Sequence, residues 1–353
     1  MKTIAFALAL IISLSFASAK PPKNFRTENL VAWCIVPYDA KNRDPEARSK
    51  MLVELGITKC AYDWRKEHIP TFEEEIIQYK KHGIEYLAFW RKHDRAFELF
   101  EEHEIRPQIW ETIHGPQDIA ELSHKELVDF AVAEILPLAK QTQAMGSKLG
   151  LYNHGGWGGE PRNMVAVAKA LRTKLGSDHI GIVYNFHHVH ESIVEFDGLM
   201  QSMLPYLICL NLNGVTDAEA VRENPDKNKI LPIGSGKFEK SMIQSVLNSG
   251  YDGPIGILGH IAHQDAMISL QENINGLQQL LEELESENAH CQERDSRPTK
   301  IRPADYLGRS KLIWKPKISL HLSIDVIENL SRLALVANKT NAYPKFSKRL
   351  KAF

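Results

Sequence analysis

Apolar runs and amphipathic stretches alternate along this chain with little interruption. The runs LVAWCIV (30–36), ITKCAYDW (57–64), IEYLAFW (84–90) and RPQIWET (106–112) read as buried strands. So do KLGLYNH (148–154), IGIVYNF (180–186), YLICLNLN (206–213) and PIGILGH (254–260). Between them lie helical patterns at 44–55, from Thr71 to His82, near Arg95–Glu102, and from Ser123 toward Ala144. Further helices are predicted at 161–175, 192–203, 237–249 and 264–285. Gly56, Gly83 and Gly250 close three of the helices, and Thr71 with Glu74 and Ser123 with Glu126 have the spacing of capping boxes. KILPIG (229–234) is a short extended piece assigned to a connection. Buried strands alternating with helices imply a parallel sheet covered by helices. A doubly wound sheet would call for a glycine-rich phosphate turn after the first strand, where this chain has Pro37-Tyr38-Asp39. The expectation is therefore α/β, a (β/α)8 TIM barrel over residues 20–288.

The ends read differently. Lys2, an apolar stretch from Ile4 to Phe16 and the small residues Ala17-Ser18-Ala19 form a signal peptide, with cleavage expected after Ala19. The stretch is shorter than the roughly 18–20 apolar residues that span a bilayer, and no later segment is apolar enough to cross. The predicted location is secreted or periplasmic. Past 288 the chain turns polar and then basic, so 289–353 is set apart as an extension of unassigned fold. With 43% hydrophobic residues and a formal net charge of −1, nothing global points to nucleic acid. Cys34, Cys60, Cys209 and Cys291 form no CxxC pair, and the first three sit inside strand-like runs as buried small hydrophobes.

In a barrel of this kind chemistry gathers at the carboxyl ends of the strands. Those ends carry Asp63-Trp64-Arg65 with His68, Trp90-Arg91 with His93, and Trp110-Glu111 with His114. They continue with Tyr152-Asn153-His154 and Trp157, Asn185 with His187, His188 and His190, then Asn211 and Asn213, and finally His260 and His263. Nine of the 15 histidines lie there. Imidazoles converging from several strands suit acid–base work near neutral pH, or a metal. Indoles at the rim can stack on sugar rings or simply plug the barrel.

The segments AYDWRKEHIPTFEEEI, LYNHGGWGGEP, IVYNFHHVH and PIGSGKFEKSMIQSVLNSGYDGPIGILGH resemble the xylose isomerase-like sugar isomerase/epimerase superfamily, in order from about residue 30 to about 285. The resemblance implies a divalent ion held by Glu, Asp, His and Glu at the ends of strands five to eight. Here Tyr152, Asn185, Asn211 and Gly259 stand at those places, so the usual carboxylate ligands are absent and the family's metal is not carried over. His154 and His188 match histidines of the motifs, and with His260 they are the remaining candidates for a metal.

The implied function is an exported sugar isomerase or epimerase, or a lyase on a keto-sugar, working by proton abstraction beside a carbonyl. Glu111, His154, His187, His188 and His260 are the candidate acid–base groups. Asp63, Arg65, Trp90, Trp110, Tyr152, Asn153, Trp157, Asn185, Asn211 and Asn213 are the candidate substrate contacts. The expected partner is a small carbohydrate. The alternative is a barrel without chemistry that binds a glycan or another protein.

Overall fold

The computed structural model describes residues 21–296, apart from 117–118, 189 and 262. The segment expected to be a signal peptide and the residues beyond 296 lie outside the described residues.

Eight strands form a closed barrel in chain order: β1 Leu30–Trp33, β2 Lys59–Tyr62, β3 Glu85–Trp90, β4 Gln108–Thr112, β5 Leu149–Tyr152, β6 Ile180–Asn185, β7 Leu207–Leu212 and β8 Ile255–Leu258. Every neighbouring pair is parallel, and β1 closes on β8 with Leu30 opposite Ile255. The predicted barrel is therefore the fold. Around it run α1 Pro45–Glu54, α2 Phe72–His82, α3 Asp94–Glu102, α4 His124–Met145, α5 Gly156–Gly159 and α6 Pro161–Leu175. They continue with α7 Phe196–Met203, α8 Ala218–Glu223, α9 Pro225–Asn228, α10 Glu239–Ser249 and α11 Ala266–Ser296. Residues 229–234 stay in a connection, which pairs with the chain through an isolated β-bridge between Gly214 and Leu231. Among the described residues no helix is long and apolar enough to cross a membrane.

Two local expectations change. Ser123 and Glu126 do form a reciprocal capping box, but Thr71 does not cap α2. A 3₁₀ turn over Lys66–Thr71 precedes that helix, and the Thr71 hydroxyl donates to the His68 carbonyl inside it. The last helix continues to Ser296, past the boundary at 288, because its polar end still satisfies its own backbone.

The core has two parts. One lies between sheet and helices, where Ile76, Phe89, Leu171, Ile243 and Leu270 are fully buried. The other fills the barrel with Trp33, Trp110, Tyr152, Val183 and Cys209. Two indoles in one barrel need space given up elsewhere: a Cβ on Gly150 would meet Trp110 Cδ1 at 2.8 Å. Cys34, Cys60 and Cys209 are buried free thiols, as expected.

Candidate active site

A closed circuit of side chains lines the carboxyl-terminal mouth of the barrel. Arg65, just past β2, donates Nη2–H to the Tyr38 hydroxyl at 3.1 Å. Tyr38 packs on His260 with ring centroids 3.7 Å apart. His260 faces His187 at 6.2 Å, His187 meets His188 at 3.8 Å, and His188 meets His154 at 5.0 Å. His154 lies 6.1 Å from Trp90, and Trp90 returns to the Arg65 guanidinium at 5.8 Å. The Tyr152 ring forms the floor, within 6.0–6.3 Å of Trp90, His154 and His188.

The circuit holds polar atoms without partners. Trp90 Nε1, His187 Nδ1, His188 Nε2, His260 Nδ1 and Asn213 Oδ1 are buried and make no hydrogen bond within the protein. Asp63, a residue 1% exposed, is buried beside its own backbone amide, that of Val36 and the Cys34 thiol. Buried polar groups are almost always satisfied, so this convergence marks a place for a polar ligand.

Burial sets the protonation states. It pushes Asp63 up to about 7; the Arg65 charge, 3.9 Å from Oδ2, and the amides of Asp63 and Val36 pull the other way and lose. Asp63 is thus poised to take up or release a proton at neutral pH. The imidazoles go in the opposite direction. Burial lowers His188 to about 3 and His260 to about 4, with the positive charges of Lys229 on His188 and of Arg65 on His260 adding to it. His187 is held well below the usual range by burial and its histidine neighbours, and His154 is lowered by burial and Lys229. All four are neutral at pH 7. This corrects the expectation of near-neutral imidazoles: clustering removed water and put cations, not carboxylates, beside them.

The positions at which the resemblance implies metal ligands hold a different arrangement. Asn185 Nδ2 donates to Asn153 Oδ1 at 2.7 Å, and Asn211 Nδ2 donates to Asn185 Oδ1 at 2.7 Å. Asn153 Nδ2 donates in turn to the Asn185 carbonyl. This amide ladder across β5, β6 and β7 is buried, and it uses the oxygens a cation would need. A Cβ at Gly256 would sit 1.8 Å from Asn211 Oδ1, so the small residue on β8 makes room for the ladder. The Tyr152 phenol accepts from Trp33 Nε1 and stays protonated, its burial raising it well above the usual range. At Gly259 a Cβ would come within 2.9 Å of Ile35 Cγ2, so a glutamate there would have to displace that side chain. His154, His188 and His260 do not converge, since His260 is turned against Tyr38. Among the described residues no group of three or more His, Cys, Asp or Glu side chains is arranged to hold a metal. The residues present do not fit the family's ion.

Replacing Asn185 by Asp is expected to destabilise the protein by about 3 kcal/mol or more. It would bury a charge and set oxygen against Asn153 Oδ1. Urea unfolding of N185D checks this, and a midpoint equal to the parent's would show that the ladder carries no weight.

Several sequence candidates lie elsewhere. Trp110 is fully buried in the middle of the barrel, bonded to Gln108, and does not reach the rim. Trp157 packs beside His124, 6.2 Å away, over the helix layer. Glu111 follows Trp110 on β4 and shares the outward face with Ile109. Its carboxylate accepts from the amides of Lys92 and Thr112, so it is not part of the circuit. His190 bridges the carbonyls of Thr216 and Lys229, pinning a connection. Tyr38 and Lys229 had no signal in the sequence: one follows β1 in a loop without a motif, and the other lies in the long connection after β7.

The architecture is a (β/α)8 barrel of the xylose isomerase-like fold, with an amide ladder buried beneath its mouth. No family model matches the sequence, and no curated protein matches it. Among solved structures it is similar to the "probable 3-DHS dehydratase" of Bacillus anthracis involved in petrobactin synthesis, at 14% identity, TM-score 0.54, covering 70% of this chain and 98% of that one. It is similar to the 3-keto-D-glucoside 4-epimerase of E. coli at 13% identity, TM-score 0.51, with 72% and 99% covered. A xylose isomerase domain-containing protein of Salmonella typhimurium matches at 14% identity, TM-score 0.52, with 72% and 98% covered. At these identities the likeness is one of fold.

Proposed function

We propose that this protein is a carbohydrate-active enzyme that moves a proton at a carbon beside a carbonyl, as in sugar epimerisation, isomerisation or keto-sugar elimination. The observation that carries this reading is Asp63, a buried carboxyl raised to about 7 and 3.9 Å from Arg65, which borders the circuit of unsatisfied polar groups. A general base works best with a pKa near the operating pH. In the proposed step the Asp63 carboxylate takes the C–H proton, and the electron pair moves onto the carbonyl oxygen. A neutral imidazole N–H from His187, His188 or His260 donates a hydrogen bond to that oxygen, the role of an oxyanion hole. Return of the proton to the opposite face of the same carbon gives the epimer. Its delivery to the former carbonyl carbon, with the neighbouring hydroxyl proton passing to the enolate oxygen, gives the isomer. Loss of a leaving group from the next carbon, departing with a proton, gives the elimination product. The acid–base role moves from Glu111 and the histidines to Asp63.

The amide ladder favours the other reading, a barrel that binds a glycan without turning it over. Deuterium incorporation separates the two. Incubated in D₂O with a panel of ketoses and keto-sugars, the protein is expected to exchange the hydrogen beside a carbonyl, followed by NMR. Binding with no exchange in any member would establish the binding reading instead. We take the protein to be exported, since Ala17-Ser18-Ala19 ends a signal-like segment. Amino-terminal sequencing of protein recovered outside the cytoplasm should begin at Lys20, and a retained Met1 would refute it.

A further inference from the structure

Three cations border the circuit, from three different connections. Arg65 lies 5.6 Å over the Tyr38 ring and 5.8 Å over Trp90. Arg91 lies 5.8 Å over Trp90, its backbone in the left-handed region (φ 66°) and its N–H bonded to the Trp110 carbonyl. Lys229 is anchored beside the mouth by His190, whose Nε2 is 3.1 Å from the Lys229 carbonyl. Among the described residues neither Arg91 nor Lys229 has a carboxylate within 4.0 Å, and Arg65 has only Asp63, at 3.9 Å. The acids of neighbouring connections are engaged: Glu191 with Arg222 at 2.6 Å, and Asp265 with Arg43 at 2.7 Å. The same positive field acts on the imidazoles, where Lys229 depresses all four and no carboxylate opposes it. A mouth lined by unpaired cations and neutral imidazoles attracts an anion.

The kind of anion follows from the turn after β7. TIM barrels often seat a phosphate on backbone amides of the connections after strands seven and eight. Here the amides of Gly234 and Gly236 donate to Glu239 Oε1 at 3.1 and 2.7 Å, and Val215 N–H donates to Oε2 at 3.0 Å. Glu239 is 2% exposed, so the protein fills that nest with its own carboxylate. An external anion is left with the side-chain cations, two guanidinium groups and one ammonium, and without the backbone nest that favours a phosphate.

We propose that Arg65, Arg91 and Lys229 receive a substrate carboxylate, and that the substrate is a sugar acid rather than a neutral sugar or a phosphosugar. This rests on the carbohydrate reading above and narrows it. The test is calorimetric titration of the full chain with matched sets. Each set is a hexuronate or ketohexuronate, the neutral hexose of the same configuration, and its 6-phosphate. At least one acid should bind about tenfold or more tighter than its neutral partner. That advantage should shrink with added salt. It should also fall about 10–100-fold in Lys229→Met or Arg91→Met, the loss expected for a hydrogen bond to a charged group. Both variants should keep the parent's thermal midpoint, because neither side chain is buried. Equal or tighter binding of the neutral sugar, tighter binding of the phosphate, or unchanged affinity for the acid in both variants would overturn the carboxylate assignment while leaving the carbohydrate reading in place. No binding in any set would overturn both.

Discussion

Asp63→Asn should abolish turnover and make the protein more stable at alkaline pH. The two effects share one cause. Burial raises the Asp63 pKa from 3.8 to about 7, so the folded protein holds a proton the unfolded chain would release. Stability from such a group is fully present below pH 4 and is lost as pH rises through about 7. The loss amounts to about 4 kcal/mol above pH 8. Asparagine carries no charge to desolvate but leaves an amide unsatisfied, at a cost of about 1–3 kcal/mol. D63N is therefore expected to gain about 1–3 kcal/mol at pH 8 and to lose about 1–3 kcal/mol at pH 4. Its exchange or turnover rate should fall by about 10²–10⁴, the usual contribution of a positioned base. The parent's rate should rise with pH to a plateau above about 7. Urea unfolding at both pH values, beside single-substrate rates, checks the pair. A variant that is active, or is destabilised at pH 8, would remove Asp63 from its assigned role.

Acidification from pH 8 to pH 5 should destabilise the protein before its surface carboxylates titrate. His188 and His260 fall from 6.5 to about 3 and about 4 on folding, so the unfolded chain binds protons the folded protein excludes. Stability attached to such groups is present above pH 6.5 and is lost as pH falls toward the folded values. At pH 5 each costs about 2 kcal/mol, about 4 together. His187 and His154 add to the loss in the same direction. Asp63 opposes it by about 3 kcal/mol over the same span, so the imidazoles win. Denaturant midpoints at pH 8, 6 and 5 should fall in that order, and D63N, without the opposing acid, should fall more steeply. Midpoints that hold steady or rise toward pH 5 would mean that these histidines ionise freely in the folded state.

The two results bear on each other. A mouth that keeps four imidazoles neutral and one carboxyl half-protonated loses stability on either side of neutrality. An anionic ligand seated among Arg65, Arg91 and Lys229 would offset the positive field and raise the imidazole pKa values.

Much of the fold was legible along the chain. Strand-length apolar runs such as 84–90 and 180–186, spaced by amphipathic helices, leave a parallel barrel as the arrangement that buries both faces of each strand. The capping box at Ser123 and the glycine after α2 are local, so local sequence settles them; Thr71 failed where a preceding turn competed for its hydroxyl. The strand ends named the candidate residues, because parallel strands bring their carboxyl ends to one rim, and that rule placed Asp63, His154, His187, His188 and His260 together. The resemblance implied metal ligands at Tyr152, Asn185, Asn211 and Gly259, and the amide ladder that Asn185 and Asn211 help build came only from the folded barrel. Which side of the sheet a rim residue faces was beyond it: Glu111 turned outward and Trp110 sank into the barrel, since a side chain's face depends on strand register. The protonation states were out of reach for the same kind of reason. A carboxyl near 7 and imidazoles near 3 and 4 arise from burial and from charges on distant segments, Lys229 above all, and only the closed barrel brings those segments to one mouth.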